Sequence, residues 1–342
     1  DILDSIAYEK GLKIDDVENA LKEALIKTAQ KMVDETLTFD ANIDRANKKL
    51  ELFQKIEVVS EDDERLNANA VNKYGEAINY ENFITLEEAK EIDPDLEIGD
   101  FMNYDLEFEN MGRNAATILH SNFEYRLQRF IEENLVSKYK DKVGKTIAGT
   151  VTRIDRQENT FIEIGEVKGI LQRKSRIKGE TFKVGDVVKA IVKGVNIDKI
   201  NGLLIDISRT SPKFLENLLV LEVPELKDKK VNIEASARIP GTRSKIALST
   251  IDAQIDPIGS VVGVKGVRIG SVSKQLNGEN IDCVEFSTIP EMFISRALSP
   301  ALVNSVKIEK HPSYGEKGKA IVTIPSDQKS KAIGKAGLNI RL

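Results

Sequence analysis

Histidine and cysteine are almost missing from these 342 residues: two of the first, His120 and His311, and one of the second, Cys283. So few imidazole and thiolate donors leave no zinc-type cluster. A single thiol forms no internal disulfide, and Cys283, set in an apolar strand, reads as a small core residue in a reducing compartment. No apolar run approaches the roughly 20 residues that cross a bilayer. No signal-peptide pattern opens the chain, so a cytoplasmic protein without membrane association is expected. The missing initiator Met reads as a trimmed N-terminus. No phosphate-binding P-loop or paired-carboxylate motif is present, and His311, ahead of Pro312 at a strand end, reads as exposed filler. The expectation is a non-enzyme with no cofactor and no bound metal. The run Glu61, Asp62, Asp63 and Glu64 lacks the glycine-punctuated frame of a calcium loop and reads as solvated loop.

What is present is charge, unevenly placed. The net charge of −5 hides a contrast: residues 1–143 carry 18 Lys and Arg against 33 Asp and Glu, and residues 144–342 carry 32 against 22. An acidic module joined to a basic one points to two partners, with a polyanion on the basic side. The length allows two to four domains.

Residues 1–35 show helical spacing at Ile14, Val17, Leu21, Ala24, Leu25, Thr28, Ala29 and Met32. Strands are expected at 36–43 and 50–59. A second amphipathic helix is expected from Gly112 to Tyr139, with Arg113, Arg126 and Arg129 on its exposed flank. From Gly144 to Ser208 the pattern becomes five short strands, at 146–154, 160–164, 169–171, 187–195 and 203–207, with glycines at the turns. That spacing fits a small Greek-key barrel of the OB type, which binds single strands on one face. Phe161 is either a stacking ring or core. Arg173, Lys174, Arg176 and Lys178 form a basic run beyond the third strand.

The C-terminal part carries an internal duplication. Gly263-Val264-Lys265-Gly266 and Gly334-Lys335-Ala336-Gly337 each lie between two expected helices. Each is preceded by the same order of helix, strand, strand and short helix. Paired glycines let the backbone turn tightly and approach a phosphate, and the enclosed lysine adds charge. Arg268 and Arg341, just beyond the loops, are further candidate phosphate contacts. A third such string, Gly315-Glu316-Lys317-Gly318, lies between two strand-like runs and reads as a hairpin turn. The fold class expected is multidomain α+β: an acidic α/β N-terminal domain, an OB-type barrel and two tandem helix-GxxG-helix α+β domains. The domain limits are 1–143, 144–209, 210–288 and 289–342, the last C-terminally incomplete.

Several strings, from Ser208-Arg209-Thr210-Ser211-Pro212 through Pro240-Gly241-Thr242-Arg243-Ser244-Lys245 to Gly278-Glu279-Asn280-Ile281-Asp282, resemble the bacterial NusA family of transcription elongation, termination and antitermination factors. The resemblance spans the chain and is strongest from Ser208 to Asp282. It implies an S-one type barrel and two K-homology domains of the bacterial kind that hold nascent single-stranded RNA. It also implies an N-terminal domain docked on RNA polymerase near the RNA exit channel, at the flap of the β subunit. Other elongation factors are implied as further partners, and a monomer is expected. Arg113 falls where the family places a basic residue facing RNA, whereas His120 stands where a lysine is frequent. Two other readings are an RNA-decay module and a ribosome- or messenger-associated RNA binder.

Overall fold

The computed structural model describes residues 2–342, which divide into two compact units at 135/136. In the first unit, α1 (Ile2–Lys10) and α2 (Ile14–Met32) replace the single helical stretch expected from periodicity. Gly11, at φ 64°, breaks the run. A four-stranded sheet follows, with β1 (Phe39–Asp44), β3 (Phe83–Thr85) and β4 (Phe101–Leu106) all pairing with the central β2 (Lys49–Val59). The short α3 (Leu86–Ile92) follows β3, and α4 (Ala115–Lys140) carries the chain into the second unit.

The expected stripe of α2 is the core stripe: Leu21, Leu25 and Ala29 pack on Phe39, Ala41 and Leu52. Val17 and Ala20 meet Ala7 and Leu127. The acidic run begins a surface turn, where Asp63 accepts from the backbone and guanidinium of Arg65. That guanidinium holds the Asp63 carboxyl down at about 2.

The second unit opens with a closed five-stranded barrel in the order β5-β6-β7-β9-β8. Its strands are β5 (Thr146–Ile154), β6 (Thr160–Ile164), β7 (Val167–Leu171), β8 (Val187–Asp198) and β9 (Gly202–Ser208). Glycine is needed at 149, where a Cβ would lie 2.7 Å from the backbone oxygen of Glu163 on β6.

After the barrel, Ser211 caps α5 (Pro212–Glu222), with Pro212 in the first turn where its missing N–H costs nothing. Then come α6 (Pro224–Lys227), β10 (Asn232–Ile239), β11 (Arg243–Ser249), α7 (Pro257–Val262), the first glycine loop, α8 (Val267–Gln275) and β12 (Asn280–Glu285). β12 pairs parallel with β11, so the helix-loop-helix segment is the crossover that returns the chain to the sheet. The second repeat has α9 (Pro290–Ala297), an antiparallel hairpin of β13 (Ser305–Lys310) and β14 (Lys319–Thr323), α10 (Lys329–Ile333), the second loop and α11 (Leu338–Arg341). The third GxxG string is the turn of that hairpin, closed by a bridge between Ser313 and Glu316.

Barrel and first repeat share one core. Ile177 and Ile191 of the barrel region pack with Phe214, Leu215, Leu218 and Ile246. A Cβ on Gly241 would lie 2.5 Å from Ile177 Cγ2, so the β10–β11 turn needs glycine to seat against the barrel. Arg209 binds Glu180 through two nitrogens (2.6 and 3.0 Å), Lys189 O (2.6 Å) and Gln275 O (2.8 Å). It thus ties the barrel to the end of α8. Arg238 and Glu279 form a second, fully buried pair at 2.9 Å, and Glu279 also accepts from Gly241 N. The two repeats meet through an edge-to-face pair, Phe286 and Phe293, with centroids 5.0 Å apart. Buried Lys245 of β11 donates to Ala297 O and, at 2.9 Å, to Ser299 O at the end of α9. Cys283 packs against this core, and burial pushes its thiol up to about 12.

Candidate nucleic-acid interface

The two glycine loops have nearly identical backbones. Gly263 and Gly334 adopt φ/ψ of 78°/172° and 76°/165°. Lys265 and Ala336, the third residue of each, are left-handed at 53°/26° and 55°/25°, and Gly266 and Gly337 follow at 72°/20° and 72°/16°. The hydrogen bonds repeat as well. Gly263 N donates to Gly259 O at 3.0 Å and Gly334 N to Ser330 O at 2.9 Å, while Gly266 N and Gly337 N return to Gly263 O and Gly334 O. Two successive left-handed residues cost energy outside glycine. That one of each pair is a lysine or an alanine shows the loop shape is held against a local penalty.

The exposed groups differ. The first loop presents Val264, 81% exposed, and Lys265, with Val267 following. The second presents Lys335 and Ala336, with Ile340 following. Beside the first loop lies an open cleft of about 580 Å³ lined by Asp256, Gly259, Gly263 and Val264, with the Arg268–Glu225 pair also on its wall. Beside the second, one of about 520 Å³ is lined by Ser326, Lys329, Ser330, Gly334 and Lys335.

Several expected contacts are placed differently. Arg268 is not a free cation at the loop mouth. Its Nη1 donates to Glu225 at 2.8 Å and to Ser260 O at 2.7 Å, and its chain lies against Gly263. Arg341 turns back onto its own loop, donating to Ala336 O at 2.9 Å. The register also shows that Arg341 matches Gly270, whereas Arg268 matches Asn339. Phe161 is buried, with the Arg153 guanidinium 3.7 Å over its ring, so it offers no open face for stacking as it stands. The structure therefore favours the core alternative for Phe161. Arg126, on the flank of α4, pairs with Glu23, while Arg113 is exposed.

In the barrel's basic run, Lys174 and Lys178 are exposed. Arg173, though exposed, pairs with Glu158 at 2.9 Å, and Arg176 is only 16% exposed beside the same carboxylate. All four line an open cleft of about 740 Å³ with Asn159 and Gln172. No motif marks Asp206 of β9, whose Oδ1 has no hydrogen-bond partner among the described residues. Burial pushes its carboxyl up, against the pull of Lys193 and Lys174. A lone acid in an apolar strand is its only sequence signal.

Among the described residues no helix is long and apolar enough to cross a membrane. Family models match in chain order: the NusA N-terminal domain over residues 1–130, the NusA-like first KH domain over 209–286 and the NusA-like second KH domain over 290–342. Proteins called transcription termination/antitermination protein NusA align along the chain. That of Helicobacter pylori J99 is 41% identical over all of this chain and 88% of its own. That of Thermus thermophilus is 34% identical over 98% and 84%, and that of Bacillus subtilis 30% identical over 100% and 86%. With the matched loops, the closed barrel and this full-length identity, the chain belongs to the NusA family of transcription termination/antitermination proteins, with two KH RNA-binding domains.

Proposed function

We propose that this protein docks on RNA polymerase near the RNA exit channel through residues 1–143, touching the β flap, and holds the emerging single-stranded transcript with residues 144–342. Domain limits at 144, 210 and 289 divide the RNA-binding part into a barrel and two K-homology domains. RNA runs from the barrel's basic run, with Lys174 foremost, to the loop at Gly263–Gly266 and on to that at Gly334–Gly337. At each loop the backbone approaches phosphates, while Lys265 and Lys335 supply charge. Bases lie in the clefts beside the loops, so sequence preference is modest. Linking two weak attachments raises the effective concentration of transcript at the polymerase. Hairpin formation, pause duration, termination and antitermination then respond to how firmly RNA is held. No step is catalytic.

The observation that carries this reading is the repetition of one strained loop backbone twice in the basic part of the chain. The test is a pair of binding assays on the whole chain. Val264→Asp with Lys265→Asp is expected to weaken binding to single-stranded RNA and leave binding to RNA-free polymerase unchanged. A variant with unaltered RNA affinity removes the claim for the loop. A wild-type chain that binds RNA but not polymerase favours a messenger- or ribosome-associated binder.

A further inference from the structure

We infer that Arg268, together with Glu225, and Asn339 are positioning residues that hold the two glycine loops in shape, and that Arg268 makes no phosphate contact. This rests on the RNA-binding reading above.

Both residues stand five positions after the first glycine of their loop, and both do the same work with different chemistry. Arg268 Nη1 donates to Ser260 O, and Asn339 Nδ2 donates to Lys331 O at 3.2 Å; each carbonyl lies three residues before the first glycine. Asn339 also reaches Ala332 O at 3.0 Å and Leu298 O at 3.1 Å, and is itself buried. The Ser260, Lys331 and Ala332 carbonyls belong to the last turn of α7 or α10, and Leu298 caps α9, places where the chain bends away and intrahelical donors run out. Each side chain also occupies the space over the first glycine. A Cβ on Gly263 would meet Arg268 Cγ at 2.8 Å, and one on Gly334 would meet Asn339 Cβ at 2.7 Å. The first glycine is therefore required twice, for its positive φ and for the room its supporting residue takes.

In the second loop the support is neutral and complete within its own repeat. In the first it is cationic, and a carboxylate 43 positions upstream, Glu225 of α6, balances it. The guanidinium is thus committed to an acceptor and a counter-charge, and α6 becomes part of the loop's foundation.

The two roles predict opposite signs for Glu225→Gln. If Arg268 bound phosphate, removing its competing carboxylate would free it and tighten binding. As a positioning residue it loses its counter-charge and the charge-assisted bond that holds it, and affinity for a mixed-sequence single-stranded RNA oligonucleotide falls several-fold with the salt slope unchanged. Arg268→Asn, which copies the second loop, is expected to bind better than Arg268→Ala. Amide hydrogen exchange of Gly266, which donates to Gly263 O, is expected to quicken in Glu225→Gln and Arg268→Ala, a readout that needs no RNA. Tighter binding by Glu225→Gln, or a salt slope reduced in Arg268→Ala by about 0.7, the share of one phosphate, overturns the inference. Unchanged Gly266 exchange overturns it too. A wild-type chain that binds no RNA defeats the function proposed above, and the exchange experiment still decides the role of Arg268.

Discussion

The two glycine loops share their backbone angles to within about 10° yet share almost none of their side chains. Lysine sits at the third position of one and the second of the other, and the buttress is Arg268 with Glu225 in one and Asn339 in the other. What is kept between them is backbone direction, the property a phosphate contact through main-chain amides requires. What varies is how that direction is maintained. A second difference lies beneath them. The first repeat is pinned by two buried ion pairs: Arg238 with Glu279 inside it, and Arg209 with Glu180, which joins it to the barrel region through Gln275 O. The second is joined to the first through carbonyls capped by Lys245 and through the Phe286–Phe293 contact.

Four sets of substitutions test these differences. The largest effect is expected for Glu279→Ala, which strands Arg238 in a dry site. A loss of about 3–5 kcal/mol is expected by chemical denaturation, whereas Glu316→Ala at the exposed hairpin pair changes stability by about 1 kcal/mol at most. Next, Gly334→Ala should destabilise more than Gly263→Ala, each within about 1–3 kcal/mol. The new methyl meets the backbone nitrogen of Asn339 at 2.7 Å in one case and a yielding arginine chain in the other. Equal losses would mean that only φ matters. Third, Lys265→Ala and Lys335→Ala, despite their different loop positions, should each lower the salt slope of RNA binding by about 0.7. A change in only one would show that the loops meet RNA differently.

The smallest effect concerns the barrel. The folded-state pKa of Asp206 lies above its ordinary value of 3.8. The folded protein therefore binds more protons than the unfolded chain between the two values. Stability from this group is full below the ordinary value and is lost as pH rises through the folded one. Asp206→Asn is accordingly expected to remove that loss and raise the melting temperature slightly at pH 7.

Much of this was legible in sequence because it depends on local pattern. The barrel strands begin and end close to the expected positions, since glycines mark the turns and apolar residues alternate between them. The duplicated order around the loops, and the reading of Gly315–Gly318 as a hairpin, follow from flanking periodicity. The break at Gly11 is hidden in the sequence because the apolar spacing resumes on the far side. The pairing of Arg268 is hidden for a different reason: its partner Glu225 is distant in sequence, and a basic residue beside a phosphate-type loop looks like a ligand. Phe161 reads in sequence as either a stacking ring or core, because nothing local shows that Arg153, on the adjoining strand, covers it. The buried pairs of Arg209 and Arg238 were invisible, since charged residues are ordinarily solvated and nothing local marks the exceptions.

If the proposed tether of transcript to polymerase runs through the glycine loops, pause lifetime at a hairpin-stabilised site for bacterial RNA polymerase separates the whole chain from Val264→Asp/Lys265→Asp in the same chain. The account predicts that the wild type lengthens the pause and that the variant, still bound to polymerase, lengthens it markedly less. An equal extension by both proteins would contradict it.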